Sequence, residues 1–114
     1  MQNKWEVPEV SKIIKESKYP DKTKDIFKFA LKELEDNDLE LTDLQLTVLA
    51  NHLGEMIDRS EENRPLASID TSLFDGVSKE ALEIANDIVG KIGNLAESEP
   101  YVLSIHFENA IQNN

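Results

Sequence analysis

From Thr42 onward the chain keeps one helical period for nearly twenty residues, and that run limits the fold more than any other feature. Thr42-Asp43-Leu44-Gln45 has the form of a capping box, in which the Thr42 hydroxyl and the Gln45 amide satisfy free N–H groups at a helix start. Leu46, Leu49, Leu53, Met56 and Ile57 follow at helical spacing and predict a core-facing stripe running to about Ser60. No segment alternates apolar and polar residues as a half-buried strand does. The expectation is an all-α protein.

Four further helices are expected around that run. Pro8 suits an early helical position, and Val10, Ile13 and Ile14 make a narrow stripe flanked by Lys12, Lys15 and Lys18. Tyr19-Pro20-Asp21 breaks the pattern, after which Asp21 or Thr23 is expected to cap a second helix carrying Ile26, Phe27, Ala30, Leu31 and Leu34. Glu33–Glu40 reads as an acidic turn. Glu61–Asp75, with Pro65 and a brief Ser72-Leu73-Phe74 patch, reads as a long connection that holds at most a short helix. Ser78 is expected to cap a fourth helix built on Val77, Ala81, Ile84, Ala85, Ile88 and Ile92, weakened at its end by Gly90 and Gly93. Ser98 is expected to cap the last, with Glu99 and Pro100 in its first turn and Val102, Leu103, Phe107, Ala110 and Ile111 on its apolar side. Trp5 and Phe29 stand outside these stripes and are left to pack the first helix or a subunit interface.

Composition narrows the class. With 114 residues, 39 % hydrophobic and 31 % charged, the chain has the length and make-up of one globular domain, expected to span residues 1–114. Residues 1–40 enter that domain on helical pattern alone. The absence of cysteine excludes disulfides and thiolate sites. No signal peptide or membrane-spanning run is visible, so a cytoplasmic address is expected. The net charge of −11 is uneven: residues 1–32 hold eight lysines against five acids, and the remainder is strongly acidic. Such a body repels nucleic acid and favours basic partners, so direct DNA or RNA binding is not expected. The lysine-rich start reads either as a solvated face or as a surface that docks on acidic residues of its own chain or a second subunit.

Chemistry centres on the only two histidines, His52 and His106, each within a helical pattern. Histidine alone among side chains has an unperturbed pKa close to physiological pH, which leaves a neutral ring nitrogen able to act as ligand or nucleophile. A metal site would draw on His52, Glu55, Glu99 and His106, but helical metal centres gather more ligands than two histidines and scattered acids supply. Nucleophile elbows, phosphate-cradling glycine loops and HExxH are all missing, so no catalytic residues and no cofactor are expected. Packing at the core edge remains open to both rings, and the chain would then be a helical scaffold with structural histidines. Arg59, seven residues after His52, lies on the same helix side and can pair with a carboxylate or make a surface ion pair with Asp58 or Glu62.

The frames around the histidines favour a sharper reading. Leu49-Ala50-Asn51-His52-Leu53-Gly54-Glu55-Met56-Ile57-Asp58-Arg59 resembles the first histidine motif of the PTS regulation domain, or PRD: a hydrophobic residue, two positions, Asp-His, an apolar stretch and an Arg seven residues on. Glu99-Pro100-Tyr101-Val102-Leu103-Ser104-Ile105-His106-Phe107 is similar to its second motif, in which Glu precedes the His by seven residues. Asn51 stands where the family typically has Asp and keeps hydrogen-bonding capacity without the charge.

The resemblance implies a PRD-like bundle of five helices that serves the bacterial sugar phosphotransferase system. In that reading His52 and His106 are phosphoacceptors supported by Asn51, Arg59 and Glu99, and the phosphodonor is HPr or an enzyme II component. The module would be a stand-alone single PRD, homodimeric, reaching transcriptional regulation through a partner protein.

Overall fold

The computed structural model describes residues 7–113, which excludes Trp5. Among them are five α-helices and no strand: α1 Pro8–Glu16, α2 Pro20–Asp36, α3 Asp43–Glu62, α4 Lys79–Ile92 and α5 Glu99–Gln112. A single 3-10 turn, Thr71–Phe74, interrupts the connection between α3 and α4. Helix α3 is the spine, with α1, α2 and α5 packed on it and α4 lying against α2 and α5. No described helix is long and apolar enough to cross a membrane.

The start of α3 follows the expected chemistry. Gln45 N–H donates to Thr42 Oγ1 at 3.1 Å, and Thr42 N–H donates to Gln45 Oε1 at 3.0 Å. Its stripe then fills the core: Leu46, Leu49, Leu53 and Met56 are wholly or almost wholly buried, together with Phe27, Ile88, Leu103 and Phe107 from the other helices. Ser78 Oγ likewise accepts from Ala81 N–H and caps α4. Gly90 stays within α4, which ends at Ile92 and is followed by Gly93 with a positive φ of 77° and an extended ψ of 167°.

Three expectations need correction. Helix α2 is not capped by Asp21 or Thr23: it begins at Pro20, whose locked φ suits the first helical position and whose missing N–H is one donor fewer to satisfy. Thr23 is buried instead, its hydroxyl donating to Tyr19 O at 2.9 Å. The acidic Glu33–Glu40 stretch is helical as far as Asp36, because Leu34 extends the buried stripe and Lys32 reaches Asp36 one turn on. The turn is confined to Asn37 and Asp38, and Leu39 and Leu41 beyond it are buried. Ser98 holds the N-cap position of α5 without a capping bond. Its backbone is already helical (φ −75°, ψ −20°), and its hydroxyl donates to Ala67 O at 3.2 Å.

The lysine-rich start meets the acidic end of α3 within the chain, through Lys18–Glu62 and Lys22–Glu61 ion pairs. Phe29 packs against the core of its own chain, with Lys91 Nζ from α4 5.7 Å from its ring centre.

Candidate functional site

Helices α3 and α5 run antiparallel, and the seam between them is tied at both ends. At one end Asn113 Nδ2 donates to Glu40 O at 3.1 Å and to Gln45 Oε1 at 2.7 Å. At the other, Ser60 Oγ donates to Gly93 O at 2.7 Å, and Asn94 Nδ2 donates to Ser60 O at 2.6 Å. These bonds close the two ends of the seam, the second through the connection that leads into α5.

Between those ends the residues seven positions from each histidine meet. Arg59 Nε donates to Glu99 Oε2 and Arg59 Nη2 to Glu99 Oε1, both at 2.7 Å, in a bidentate pair. Glu99 is fully buried and Arg59 partly so, at 0 % and 16 % side-chain exposure. The hydrogen bonds to Glu99 hold the guanidinium above its ordinary range. Arg59 therefore does not form the surface ion pair with Asp58 or Glu62 that its position allowed, and Glu99 contacts an arginine rather than a histidine. Asp58 Oδ1 is the side-chain oxygen left buried without a partner among the described residues.

Two turns along the seam the histidines face each other. His52 Nδ1 and His106 Nε2 lie 2.9 Å apart, with ring centres 5.0 Å apart and planes tilted by 47°. Local sequence puts them there: His52 is three residues from Leu49 and four from Met56, and His106 is three from Leu103, all wholly buried, so each ring rides at the edge of a core stripe. Burial pushes both imidazoles down to about 4, helped by the Arg59 charge at His52 and by His52 at His106. Both rings are neutral at pH 7. Their second nitrogens, His52 Nε2 and His106 Nδ1, have no protein partner among the described residues and are not sealed in the interior. A neutral pair joined edge to edge, each ring with an outward nitrogen, suits attack on an electrophile or acceptance of a proton.

Asn51 stands apart from this arrangement. It is exposed, and its Nδ2 donates to Glu55 Oε1 at 3.1 Å along α3. No group of three or more His, Asp and Glu side chains able to hold a metal gathers among the described residues. The sequence reading missed the apolar residues beside the seam. Leu44, Val48 and His52 form a row at i, i+4 and i+8 on α3, and Leu44 and Val48 are 74 % and 52 % exposed. Ile105, next to His106, is 40 % exposed. Their signal was present, as leucine, valine and isoleucine falling off the core stripes.

No protein-family model matches the chain, and no curated protein does either. Among solved structures it matches a PRD-containing transcription regulator from Lactobacillus casei ATCC 334, at 38 % identity and a TM-score of 0.89. The match covers 93 % of this chain and 95 % of that one. With sequence and fold agreeing over that length, the chain belongs to the family of PRD-containing proteins.

Proposed function

We propose that this chain is a phosphorylation-responsive regulatory module of the bacterial sugar phosphotransferase system, with His52 and His106 as its phosphoacceptors. The observation that carries the reading is the contact between the two rings: neutral imidazoles, each with an outward nitrogen, at the antiparallel seam of a PRD fold. HPr or an enzyme II component is the donor in this reading, and the output is transcriptional regulation through a partner protein, in line with the role of the Lactobacillus regulator. Arg59 and Glu99 act as positioning residues, since their two parallel hydrogen bonds engage both Glu99 oxygens and tie together the helices that carry the histidines.

The exposed row Leu44–Val48–His52 supports a homodimer that uses this face. A phosphoryl group brings roughly −2 charge by the logic of phosphoserine. Placed beside such a face in a chain of net charge −11, it shifts the association between copies. A helical scaffold with structural histidines is the rival reading, favoured by the fact that each ring already has one nitrogen bonded. Incubation with enzyme I, HPr and phosphoenolpyruvate separates the two. The proposal expects an acid-labile phosphoryl gain by intact mass that disappears in the His52→Ala/His106→Ala variant. No gain with enzyme I and HPr, nor with phosphorylated enzyme II components, leaves the scaffold.

A further inference from the structure

The 2.9 Å contact constrains where protons sit. Each ring is neutral at pH 7 and so carries one ring proton. A bridge between His52 Nδ1 and His106 Nε2 needs one proton: two bare lone pairs repel, and two N–H groups collide. If His52 supplies it, His52 Nε2 is bare and His106 holds its own proton outward on Nδ1. If His106 supplies it, His52 holds its proton outward on Nε2 and His106 Nδ1 is bare. In both arrangements the rings carry their protons on the same kind of nitrogen, and one of the two outward nitrogens is a nucleophile.

We infer that the two imidazoles form a single proton-coupled acceptor, in which the unmodified ring takes the bridging proton from the ring that is phosphorylated. The inference rests on the phosphoryl-transfer reading above and adds the role of the second histidine. When His52 attacks, its Nε2 lone pair forms the bond to phosphorus. The phosphorus–nitrogen bond of the donor phosphohistidine breaks, and its electron pair returns to the donor imidazole. The His52 ring, substituted at Nε2 and still protonated at Nδ1, is now cationic. Its Nδ1 proton crosses to His106 Nε2, and His106 releases its Nδ1 proton to solvent. The bridge survives with reversed polarity, and the phosphorylated ring is neutral. Attack by His106 Nδ1 is the mirror image, with His52 Nδ1 taking the proton.

Two groups at the seam are already engaged. Glu99 has both oxygens on Arg59, and Asn51 is an amide bonded to Glu55. The second histidine is thus a positioning and proton-accepting residue, and it keeps the phosphorylated ring out of the protonated form in which phosphoimidazoles hydrolyse fastest.

Nitrogen-15 NMR of the full chain labelled in histidine tests the coupling before any donor is added. The expected spectrum has both rings in the same tautomer, or exchanging together, with scalar coupling between His52 Nδ1 and His106 Nε2. Rings in opposite tautomers overturn the inference. In His106→Gln the amide can bond His52 Nδ1 but cannot pass a proton on. Phosphorylated His52 is then expected to keep its Nδ1 proton and to lose its phosphoryl group several-fold faster at pH 7, and an unchanged protonation state and lifetime overturn the inference too. Failure of the parent to accept any phosphoryl group removes the reading on which the inference rests. Phosphorylation with independently protonated rings overturns the inference alone.

Discussion

Arg59 and Glu99 meet in a buried bidentate pair, each seven residues from a histidine, and that pairing sets the registry in which His52 reaches His106. Seven residues are two helical turns, so in antiparallel helices a contact between the outer residues brings the inner ones together two turns away. The ion pair and the imidazole pair are two rungs of one ladder.

Removing one rung member leaves a charge buried without its partner. Arg59→Gln and Glu99→Gln are each expected to destabilise the fold by about 3–5 kcal/mol, read as a drop in urea midpoint. Arg59→Met/Glu99→Leu, which removes both charges, is expected to recover much of that loss. Single variants as stable as the parent would mean the pair does not hold the seam.

Acid weakens the fold through the same face. Both imidazoles sit at about 4 in the folded chain against an ordinary value of 6.5, so between those limits the unfolded chain binds more protons. Stability is therefore fully present above pH 6.5 and falls as the pH drops toward 4, at up to about 1.4 kcal/mol per pH unit for each ring. Urea titrations across this range check it against His52→Gln/His106→Gln, whose slope is expected to be shallower. Equal slopes would place the sensitivity elsewhere.

Much of this fold is written in local pattern. The capping box at Thr42, the Ser78 cap and the apolar stripes of α3, α4 and α5 depend on neighbours within a turn or two, and they are where the sequence puts them. The start of α2 was misread because Pro20, taken as a break, serves as a first helical residue. The pairings at the site were not legible. Arg59 and Glu99 are 40 residues apart and His52 and His106 are 54 apart, so their contacts depend on the helix packing that sets the register. Sequence placed both charged residues at the right offsets, yet only the seam shows that they hold each other and leave the imidazoles to do the same.

The glycines of α4 differ in what they need. Gly90 is exposed within the helix and a Cβ there meets nothing within 4 Å, so Gly90→Ala is expected to stabilise by about 0.5–1 kcal/mol. Gly93 adopts φ 77°, and Gly93→Ala is expected to cost about 1 kcal/mol or more, since L side chains rarely fit there. Thermal melts that rank Gly93→Ala above Gly90→Ala would contradict this assignment.

The start of α3 gives a smaller effect. Thr42→Ala removes the acceptor for Gln45 N–H and is expected to cost about 1 kcal/mol. The Gln45 side chain also accepts from Asn113, so the same variant is expected to raise amide exchange at the C-terminal end of α5. Protection unchanged there would uncouple the cap from the seam.

The central claim is that these two rings receive a phosphoryl group from a phosphotransferase-system donor. The most direct measurement is nitrogen-15 and phosphorus-31 NMR of the histidine-labelled chain before and after exposure to phosphorylated HPr. The account predicts a phosphorus coupling at His52 Nε2 or His106 Nδ1, with the partner ring shifting in step. Phosphate found on another residue type, or histidine resonances unmoved while a known acceptor in the same tube is modified, would contradict it.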